Sequence, residues 1–289
     1  MNVLVTGANG QLGRSLRALA PTSGDRFIFT DVSSLPGEET VYLDITDANA
    51  VNLFCESERV DCIVNCAAYT AVDKAEDDSA LCDLLNRVGP ANLAGAAAGR
   101  GALMLHISTD YIFGGDSSIP YREEMDAAPL GVYGATKYQG ELAVRESGAE
   151  YVIIRTGWLY SPYGRNFVKT MLELTASRRE VRVVCDQVGT PTYALDLAGF
   201  ILRVLEKPVP GIYNYSGEGV CSWYDFACAI RDLSGHSGCE VLPCSSADYP
   251  SKVRRPHYSV LDKSRAKAVY GVRIPHWFHS LKRCLDEIH

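Results

Sequence analysis

A glycine-rich turn near the N-terminus constrains the fold of this chain more than any other stretch. The segment TGANGQLG follows a short apolar run at 2–6 and precedes an apolar helical pattern, so it predicts a strand, a tight turn and a helix. Its glycines have the GxxGxxG spacing, a variant of the fingerprint in which backbone amides and a helix N-terminus approach a pyrophosphate. This order favours a dinucleotide site over a purely structural turn. The residues predicted to make the contact are Gly7, Asn9, Gly10, Gln11, Leu12 and Gly13.

Further along the chain, short apolar runs alternate with helical patterns, which predicts an α/β fold. The runs lie at 27–30, 41–43, 62–66, 103–107 and 151–154. We therefore predict a Rossmann-type doubly wound parallel sheet with a smaller C-terminal substrate lobe. Residues 1–157 would form the NAD(P)-binding domain, with 181–235 returning to it. Residues 158–180 and 236–289 would form the substrate-binding lobe.

Composition and charge argue against several classes of protein. Apolar residues make up 47% and charged residues 22% of the 289 residues, as in ordinary globular proteins. The net charge of −7 argues against a nucleic-acid-binding or anionic-membrane surface, because both need a positive field. The sequence starts without a signal-peptide pattern and has no stretch of membrane-spanning length, so we expect a cytoplasmic protein with no membrane partner. The ten cysteines are scattered, which favours reduced thiols.

Acidic residues follow the second and third predicted strands. Asp31 stands where this fold places an acid against the adenosine ribose 2′-hydroxyl, which favours NADH over NADPH as cofactor. The alternatives are an acid that merely ends a strand, and a 2′-phosphate partnered by Arg14 or Arg17 of the first helix. Asp44 and Ile45 follow the third strand, where an acidic side chain could meet the adenine amine.

The fourth and fifth predicted strands deliver small and polar residues to the same sheet edge, where open α/β sheets bind ligands. After strand four, small residues would permit close approach of the cofactor, and a polar loop follows. These residues are Ala67, Ala68, Tyr69, Thr70, Val72 and Asp73. Strand five leads to Ser108, Thr109 and Asp110, where a hydroxyl could hold a substrate carbonyl or merely cap the strand. Asn86, in the helical region that follows, either contacts a ligand or only forms hydrogen bonds with backbone groups.

The segment PLGVYGATKYQGE contains Tyr133 and Lys137, four residues apart. On a helix this spacing puts both side chains on one face, where the ammonium would lower the pKa of the phenol. The pair would then be a proton donor with its activator, although chance alone supplies such a pair in many chains.

A basic cluster at 252–255 is the candidate anion site of this acidic protein, or else a solvated loop. The six histidines lack metal-ligand spacing, so we predict no metal site.

Taken in order, TGANGQLG, NCAAYTAVDKAE, STDYIFGG, VYGATKYQGE, RTGWLY and DQVGTPT resemble the extended short-chain dehydrogenase/reductase family over nearly the whole chain. The resemblance implies hydride transfer from NADH or NADPH to C4 of a dTDP-linked 4-keto-6-deoxyhexose. It assigns catalysis to Thr109, Tyr133 and Lys137, with Tyr133 and Lys137 also contacting the cofactor. The implied substrate-binding residues are Thr70, Val72, Asp73, Thr109, Trp158, Asn166 and Arg255.

Several alternatives stay open within this resemblance. A dehydratase of the family would carry a second acid where Tyr111 follows Asp110, whereas an epimerase would keep its NAD bound through turnover. The regulatory β subunit of methionine adenosyltransferase resembles the same reductases and binds a partner enzyme instead. Some relatives share a metal between subunits through an acid on the first helix. Arg14 and Ser15 stand there in this chain, so we expect no magnesium bridge and either a monomer or a homodimer.

Overall fold

The computed structural model describes residues 1–249 and 251–288, and a seven-stranded sheet forms its centre. The strands are β1 (Asn2–Thr6), β2 (Arg26–Asp31), β3 (Val41–Tyr42), β4 (Cys62–Asn65), β5 (Leu103–Thr109), β6 (Tyr151–Thr156), β7 (Leu159–Tyr160), β8 (Glu180–Val184), β9 (Val188–Gly189), β10 (Thr192–Tyr193), β11 (Gly211–Asn214), β12 (Cys221–Ser222) and β13 (Glu240–Cys244). The central order is β11-β6-β5-β4-β1-β2-β3, with every neighbouring pair parallel. The predicted doubly wound parallel sheet is thereby confirmed.

Helices cover both faces of this sheet. They are α1 (Gln11–Leu19), α2 (Ala48–Ser57), α3 (Val72–Ala75), α4 (Ser79–Asp83), α5 (Gly89–Arg100), α6 (Val132–Glu146), α7 (Phe167–Ser177), α8 (Ala194–Glu206), α9 (Trp223–Leu233), α10 (Ser264–Tyr270) and α11 (Trp277–Ile288). A π-helical turn, Leu84–Val88, joins α4 to α5. Within residues 1–249 and 251–288, no helix is both long and apolar enough to cross a bilayer.

Successive side chains of β1 point to opposite faces of the sheet, so its apolar residues belong to two separate cores. Val3 and Val5 pack in one buried cluster with α1 and α8, whereas Leu4 packs in another with α2 and α5. Both faces are therefore apolar, as parallel strands covered by helices require. Burial on both sides fixes the register, so the carboxyl ends of β1, β4 and β5 meet at one edge.

Two strands run further than the sequence predicts. β5 includes Ser108 and Thr109, and β6 continues through Arg155 and Thr156, because these residues pair with one another across the two strands. In both strands the apolar side chains end before the backbone hydrogen bonding does. The last residues are polar because they lie at the edge where ligands bind. Thr109 is thus held by the sheet and not by a loop.

The C-terminal part of the chain packs as a second lobe with its own core around Tyr160, Phe226 and Leu281. Its largest pairing joins β8 to β13 in parallel. Within residues 181–235, α8 and β11 lie on the central sheet, whereas β8 and α9 pack in the lobe. Conversely, Tyr270 of α10 packs against α8 on the central sheet. The strand β8 pairs with β13, which lies sixty residues later in the chain. A local sequence pattern does not indicate such a distant partner.

Candidate active site

A cleft of about 720 Å³ runs along the carboxyl edge of the sheet and reaches the second lobe. The glycine-rich turn lines one end, and Tyr133, Thr109 and Trp158 line the other. Such an edge is where doubly wound sheets bind ligands, because the strand order reverses there and the flanking loops part. The cleft contains most of the site residues predicted from the sequence: Gly7, Gly10, Gln11, Leu12, Gly13, Asp31, Asp44, Ile45, Ala67, Ala68, Thr70, Val72, Thr109, Tyr133, Lys137, Trp158, Asn166 and Arg255.

The glycine turn has no room for side chains. Gly7 has φ +65°, and a Cβ atom there would lie 2.6 Å from the Ala67 nitrogen, while one on Gly13 would lie 2.5 Å from the Ala8 Cα. Gly10 begins α1 from an extended conformation and has no side chain with which to cap it. The first amides of α1 are therefore open to an anion in the cleft, aided by the helix dipole.

Asp31 lies at the end of β2 and is held in place by hydrogen bonds. Its Oδ2 accepts from the Asn9 backbone amide at 3.1 Å, and its Oδ1 accepts from the amide and hydroxyl of Ser33. Arg17 is engaged elsewhere, because it donates to the Glu39 carbonyl and the Thr40 hydroxyl. The guanidinium of Arg14 stacks over the Tyr163 ring at 4.1 Å. The charge nearest to the predicted ribose position is therefore negative.

Thr109, Tyr133 and Lys137 converge at the deep end of the cleft. Lys137 is buried, and its Nζ donates to the Ile107 carbonyl of β5 at 2.6 Å. Burial lowers the pKa of Lys137 to about 8, and the nearby Glu141 carboxylate opposes this shift. The rings of Tyr111 and Tyr133 form a T-shaped pair, with 5.5 Å between the ring centroids.

The pKa of Tyr133 moves in the opposite direction to the one expected. The sequence pattern predicts a pKa lowered by Lys137, but burial raises it well above its usual value, and a hydrogen bond with Thr109 offsets only part of the rise. The expectation was wrong in this structure because desolvation of the phenolate is the largest influence on this pKa. Burial in the cleft therefore favours the phenol form of Tyr133 over the phenolate.

The helix α6, which carries Tyr133, packs closely against the π-helical turn. Asn86 in that turn is buried; its side-chain oxygen accepts from the Tyr69 amide at 2.9 Å, and its Nδ2 donates to the Tyr69 carbonyl at 3.1 Å. Of the two alternatives, the structure thus favours a backbone-satisfying role for Asn86. A side chain at Gly140 would collide with the Asn86 carbonyl oxygen, so this glycine sets the close approach of α6.

Three residues predicted to contact ligands lie outside the cleft wall. The Asn9 side chain donates to the Ser33 carbonyl, and the Tyr69 hydroxyl donates to Asp78. Asp73 forms an ion pair with Arg255 at 2.7 Å. Their positions in the turn and the loop are as expected, but their polar atoms are satisfied by protein groups. In the same way, Lys252 of the basic cluster pairs with Asp77 at 2.5 Å.

Trp158 and Asn166 lie between the two lobes. Trp158 has φ +52°, an uncommon conformation for this residue type, and its ring stacks on Trp223 at a centroid distance of 3.6 Å. Asn166 caps α7, and its Nδ2 donates to Gln11 Oε1 at 3.0 Å, so the second lobe contacts the glycine turn directly. Both side chains keep their predicted place beside the cleft.

The structure adds site residues to which the sequence assigned no role. Asp110, predicted to reach this edge, and Tyr111 line the cleft beside Thr109, and the Tyr111 hydroxyl accepts from Arg255 Nη1 at 3.2 Å. Their position directly after the predicted strand was the available signal. Trp223 had none, because it reaches the cleft from a helix sixty-five residues beyond Trp158.

A second cavity of about 760 Å³ adjoins the cleft across Trp223 and Arg255. Its wall contains three arginines, Arg182, Arg254 and Arg255, together with His257 and a single acid, Asp186. A concentration of positive charge in an acidic protein favours an anionic ligand. Within residues 1–249 and 251–288, no group of three or more His, Cys, Asp or Glu side chains is arranged to hold a metal ion.

Comparison with known proteins agrees with this architecture. The family model described as "RmlD substrate binding domain" matches residues 1–289. The Escherichia coli (strain K12) dTDP-4-dehydrorhamnose reductase is 39% identical over 300 residues, covering 100% of this chain and 98% of that protein.

Two solved structures also match along the whole chain. The crystal structure of a dTDP-4-dehydrorhamnose reductase from Clostridium acetobutylicum has a TM-score of 0.94 and 41% identity, covering 100% of this chain and 99% of that one. The Bacillus anthracis dTDP-4-dehydrorhamnose reductase in complex with NADP has a TM-score of 0.89 and 37% identity, with 99% of each chain covered. The chain belongs to the RmlD substrate-binding domain family.

Proposed function

We propose that this protein reduces the C4 ketone of dTDP-4-dehydro-6-deoxy-L-lyxo-hexose to give dTDP-L-rhamnose, using a reduced nicotinamide cofactor. The observation that carries the proposal is the convergence of Thr109, Tyr133 and Lys137 in one cleft with the glycine turn. The relatives of 37–41% identity that are named dTDP-4-dehydrorhamnose reductase support the same reaction. A non-catalytic regulatory role is not favoured, because the proton donor and its neighbours are all present.

The residues present fit a nicotinamide dinucleotide. The backbone cradle at Gly7 and Gly13 would be filled by any Cβ atom, and the open amides of α1 suit a pyrophosphate. Asp44 and Ile45 would contact the adenine, whereas Ala67 and Ala68 leave space beside β4. When bound, the cofactor supplies the hydride.

We propose NADH as the preferred cofactor. The Asp31 carboxylate can accept a hydrogen bond from a ribose 2′-hydroxyl but would repel a 2′-phosphate. Arg14 and Arg17, the basic residues nearest to the turn, are engaged with Tyr163 and with the 39–40 loop. The Bacillus anthracis relative was solved with NADP, so the ratio of the two activities is the quantity to measure.

In the proposed reaction, Tyr133 is the general acid. Its raised pKa keeps the phenol protonated until the ketone oxygen gains negative charge, and the proton then passes to that oxygen. Thr109 donates a hydrogen bond to the same developing oxyanion. Lys137, fixed by the Ile107 carbonyl, supplies positive charge to the phenolate that remains.

The two cavities suit the two halves of the substrate. The sugar would lie against Thr70, Val72 and Trp158 in the cleft, with Asp73 and Tyr111 holding Arg255 at its edge. The nucleotide diphosphate would extend towards the second cavity, where Arg182 and Arg254 add positive charge. Asn166 would contribute at the boundary. We propose accordingly that β8, α9 and β13 belong to the substrate-binding lobe.

In some relatives an acid on the first helix binds a metal that two subunits share, but α1 of this chain has no acid at that position. Arg14 stacks on Tyr163, and the Ser15 hydroxyl donates to the Gln11 carbonyl at 3.0 Å, so neither position offers a carboxylate. We therefore propose a monomer, or a homodimer without a magnesium bridge at this helix.

The decisive experiment offers the purified protein the dTDP-linked ketosugar with NADH and, separately, with NADPH. We expect loss of the reduced-nicotinamide absorbance together with formation of dTDP-L-rhamnose. Tyr133→Phe is the control, because it keeps the cleft but lacks the proton. Failure of the wild-type protein to oxidise either cofactor in the presence of the ketosugar would contradict the proposal.

A further inference from the structure

The carboxyl group of Asp110 has no part in the steps described above, although it contacts a residue that does. Its Oδ1 lies 3.1 Å from the Thr109 hydroxyl oxygen, and the residue is 2% exposed. Its Oδ2 is buried and has no hydrogen-bond partner among residues 1–249 and 251–288. A buried carboxyl oxygen without a partner is costly, so its presence beside a catalytic hydroxyl points to a role.

The fold makes space for this carboxyl group. A Cβ atom at Gly157, directly after β6, would lie 2.5 Å from the Asp110 carboxyl carbon. The carboxyl group therefore lies against bare backbone and has little freedom to turn away from Thr109. The Thr109 oxygen is fixed from the other side, because it accepts from the Tyr111 amide at 3.2 Å.

Thr109 has a single hydroxyl proton, which Asp110, the Tyr133 oxygen or the substrate oxygen can accept. An ionised carboxylate only accepts hydrogen bonds, so an ionised Asp110 holds the Thr109 proton. A neutral carboxyl group donates to the Thr109 oxygen instead and leaves the Thr109 proton free to point into the cleft. Thr109 can therefore stabilise a developing oxyanion fully only while Asp110 is neutral.

The surroundings of Asp110 favour the neutral form. Burial raises the pKa of Asp110 to about 6, and the nearby hydroxyl groups of Ser259 and Thr109 offset part of this rise. The titratable groups that face the carboxyl group are phenols, Tyr133 from α6 and Tyr111 from its own turn. Arg255, the cation bonded to Tyr111, also pairs with Asp73.

We propose that Asp110 is a positioning residue whose protonation state decides, through the hydrogen bond to Thr109, whether the Thr109 hydroxyl donates to the substrate oxygen. This inference rests on the proposed function, because the oxygen in question is that of the reduced ketone. Asp110 itself exchanges no proton with the substrate: Tyr133 gives the proton, and Asp110 acts only on the direction of the Thr109 hydrogen bond.

The test is the pH dependence of kcat and KM in wild type and in Asp110→Asn, whose amide can donate to Thr109 at every pH. In wild type, kcat should fall as the pH rises through about 6, by about tenfold per pH unit above it, with KM little changed. In Asp110→Asn that fall should disappear, and kcat should stay level until Lys137 titrates near pH 8. Glu123→Gln is the matched control, since burial also raises the pKa of Glu123, and it should keep the wild-type profile.

Thr109→Val provides a second route, independent of how the Asp110 variant folds. Its residual turnover should also lack the fall through about pH 6, because Asp110 acts through the Thr109 hydroxyl. A wild-type profile retained in either variant overturns the role of Asp110. Absence of ketosugar turnover by the wild-type protein overturns the proposed function, and the inference with it.

Discussion

Replacing Glu141 by Gln should destabilise the fold and shift the titration of Lys137. Glu141 is 0% exposed and Arg155 is 3% exposed, and the two form a bidentate pair with Arg155 Nη2 2.8 Å from Glu141 Oε2. The Ser108 hydroxyl donates to the same carboxylate at 2.5 Å. The substitution removes the negative charge but leaves the arginine buried between β6 and α6.

The expected magnitude follows from this burial. Breaking a buried ion pair from one side costs about 3–5 kcal/mol, because the remaining charge is desolvated without compensation. For a chain of 289 residues, the entropy of unfolding is about 0.6 kcal/mol per kelvin. The melting temperature should therefore fall by about 5–8 °C. Loss of Glu141 should also lower the pKa of Lys137 further, since the carboxylate now opposes the effect of burial.

Thermal unfolding followed by circular dichroism measures the first effect. The basic limb of the pH–rate profile in an Asp110→Asn background, where Lys137 is the group that titrates, measures the second. Glu206→Gln is the control: it breaks the exposed pair with Arg203 and should change the melting temperature by less than about 1 °C. A Glu141→Gln protein that melts within about 1 °C of wild type would refute the reasoning. It would mean that Arg155 is adequately solvated or hydrogen-bonded without the carboxylate.

Three further predictions concern the proposed reaction. Tyr133→Phe should reduce kcat by about 10²-fold or more while NADH binding, measured by fluorescence titration, changes little; retained turnover would exclude Tyr133 as the acid. Asp31→Ala should lower the ratio of kcat/KM with NADH to that with NADPH, and an unchanged ratio would show that Asp31 does not contact the ribose. Arg255→Ala should raise KM for the dTDP-sugar by about tenfold or more, whereas exposed Lys207→Ala should leave KM unchanged. Equal KM values for the two variants would show that the cluster at 252–255 is a solvated loop and not an anion site.

The parallel sheet was predictable from the sequence because its strands are apolar on both faces and are separated by helical patterns. Most of the cleft followed from the same pattern, since the ends of β1, β4 and β5 meet at one edge. The Trp158–Trp223 stack and the β8–β13 pair were not predictable, because each joins segments about sixty residues apart. The spacing of apolar residues within one segment does not indicate which distant segment it will contact.

The pKa values of the site were also beyond the sequence, since they depend on burial rather than on spacing. A spacing of four puts Tyr133 and Lys137 on one face of α6, but it does not indicate how deeply either group is enclosed. The structure has Lys137 against the Ile107 carbonyl and encloses the phenol among Thr109, Asp110 and Tyr111. Desolvation therefore dominates an interaction that the residue types alone would favour.

This dominance of burial bears on the proton that Tyr133 supplies. An enzyme that oxidises an alcohol needs its tyrosine as a phenolate base, whereas a reductase needs a phenol that still carries its proton. Burial raises the pKa of Tyr133 and so disfavours the phenolate, while Lys137, with a pKa of about 8, remains charged at neutral pH. The phenolate becomes stable only once hydride transfer has created an oxyanion to take the proton. Tyr133 therefore carries the proton that a ketone oxygen needs, and Lys137 carries the charge that stabilises the phenolate left behind.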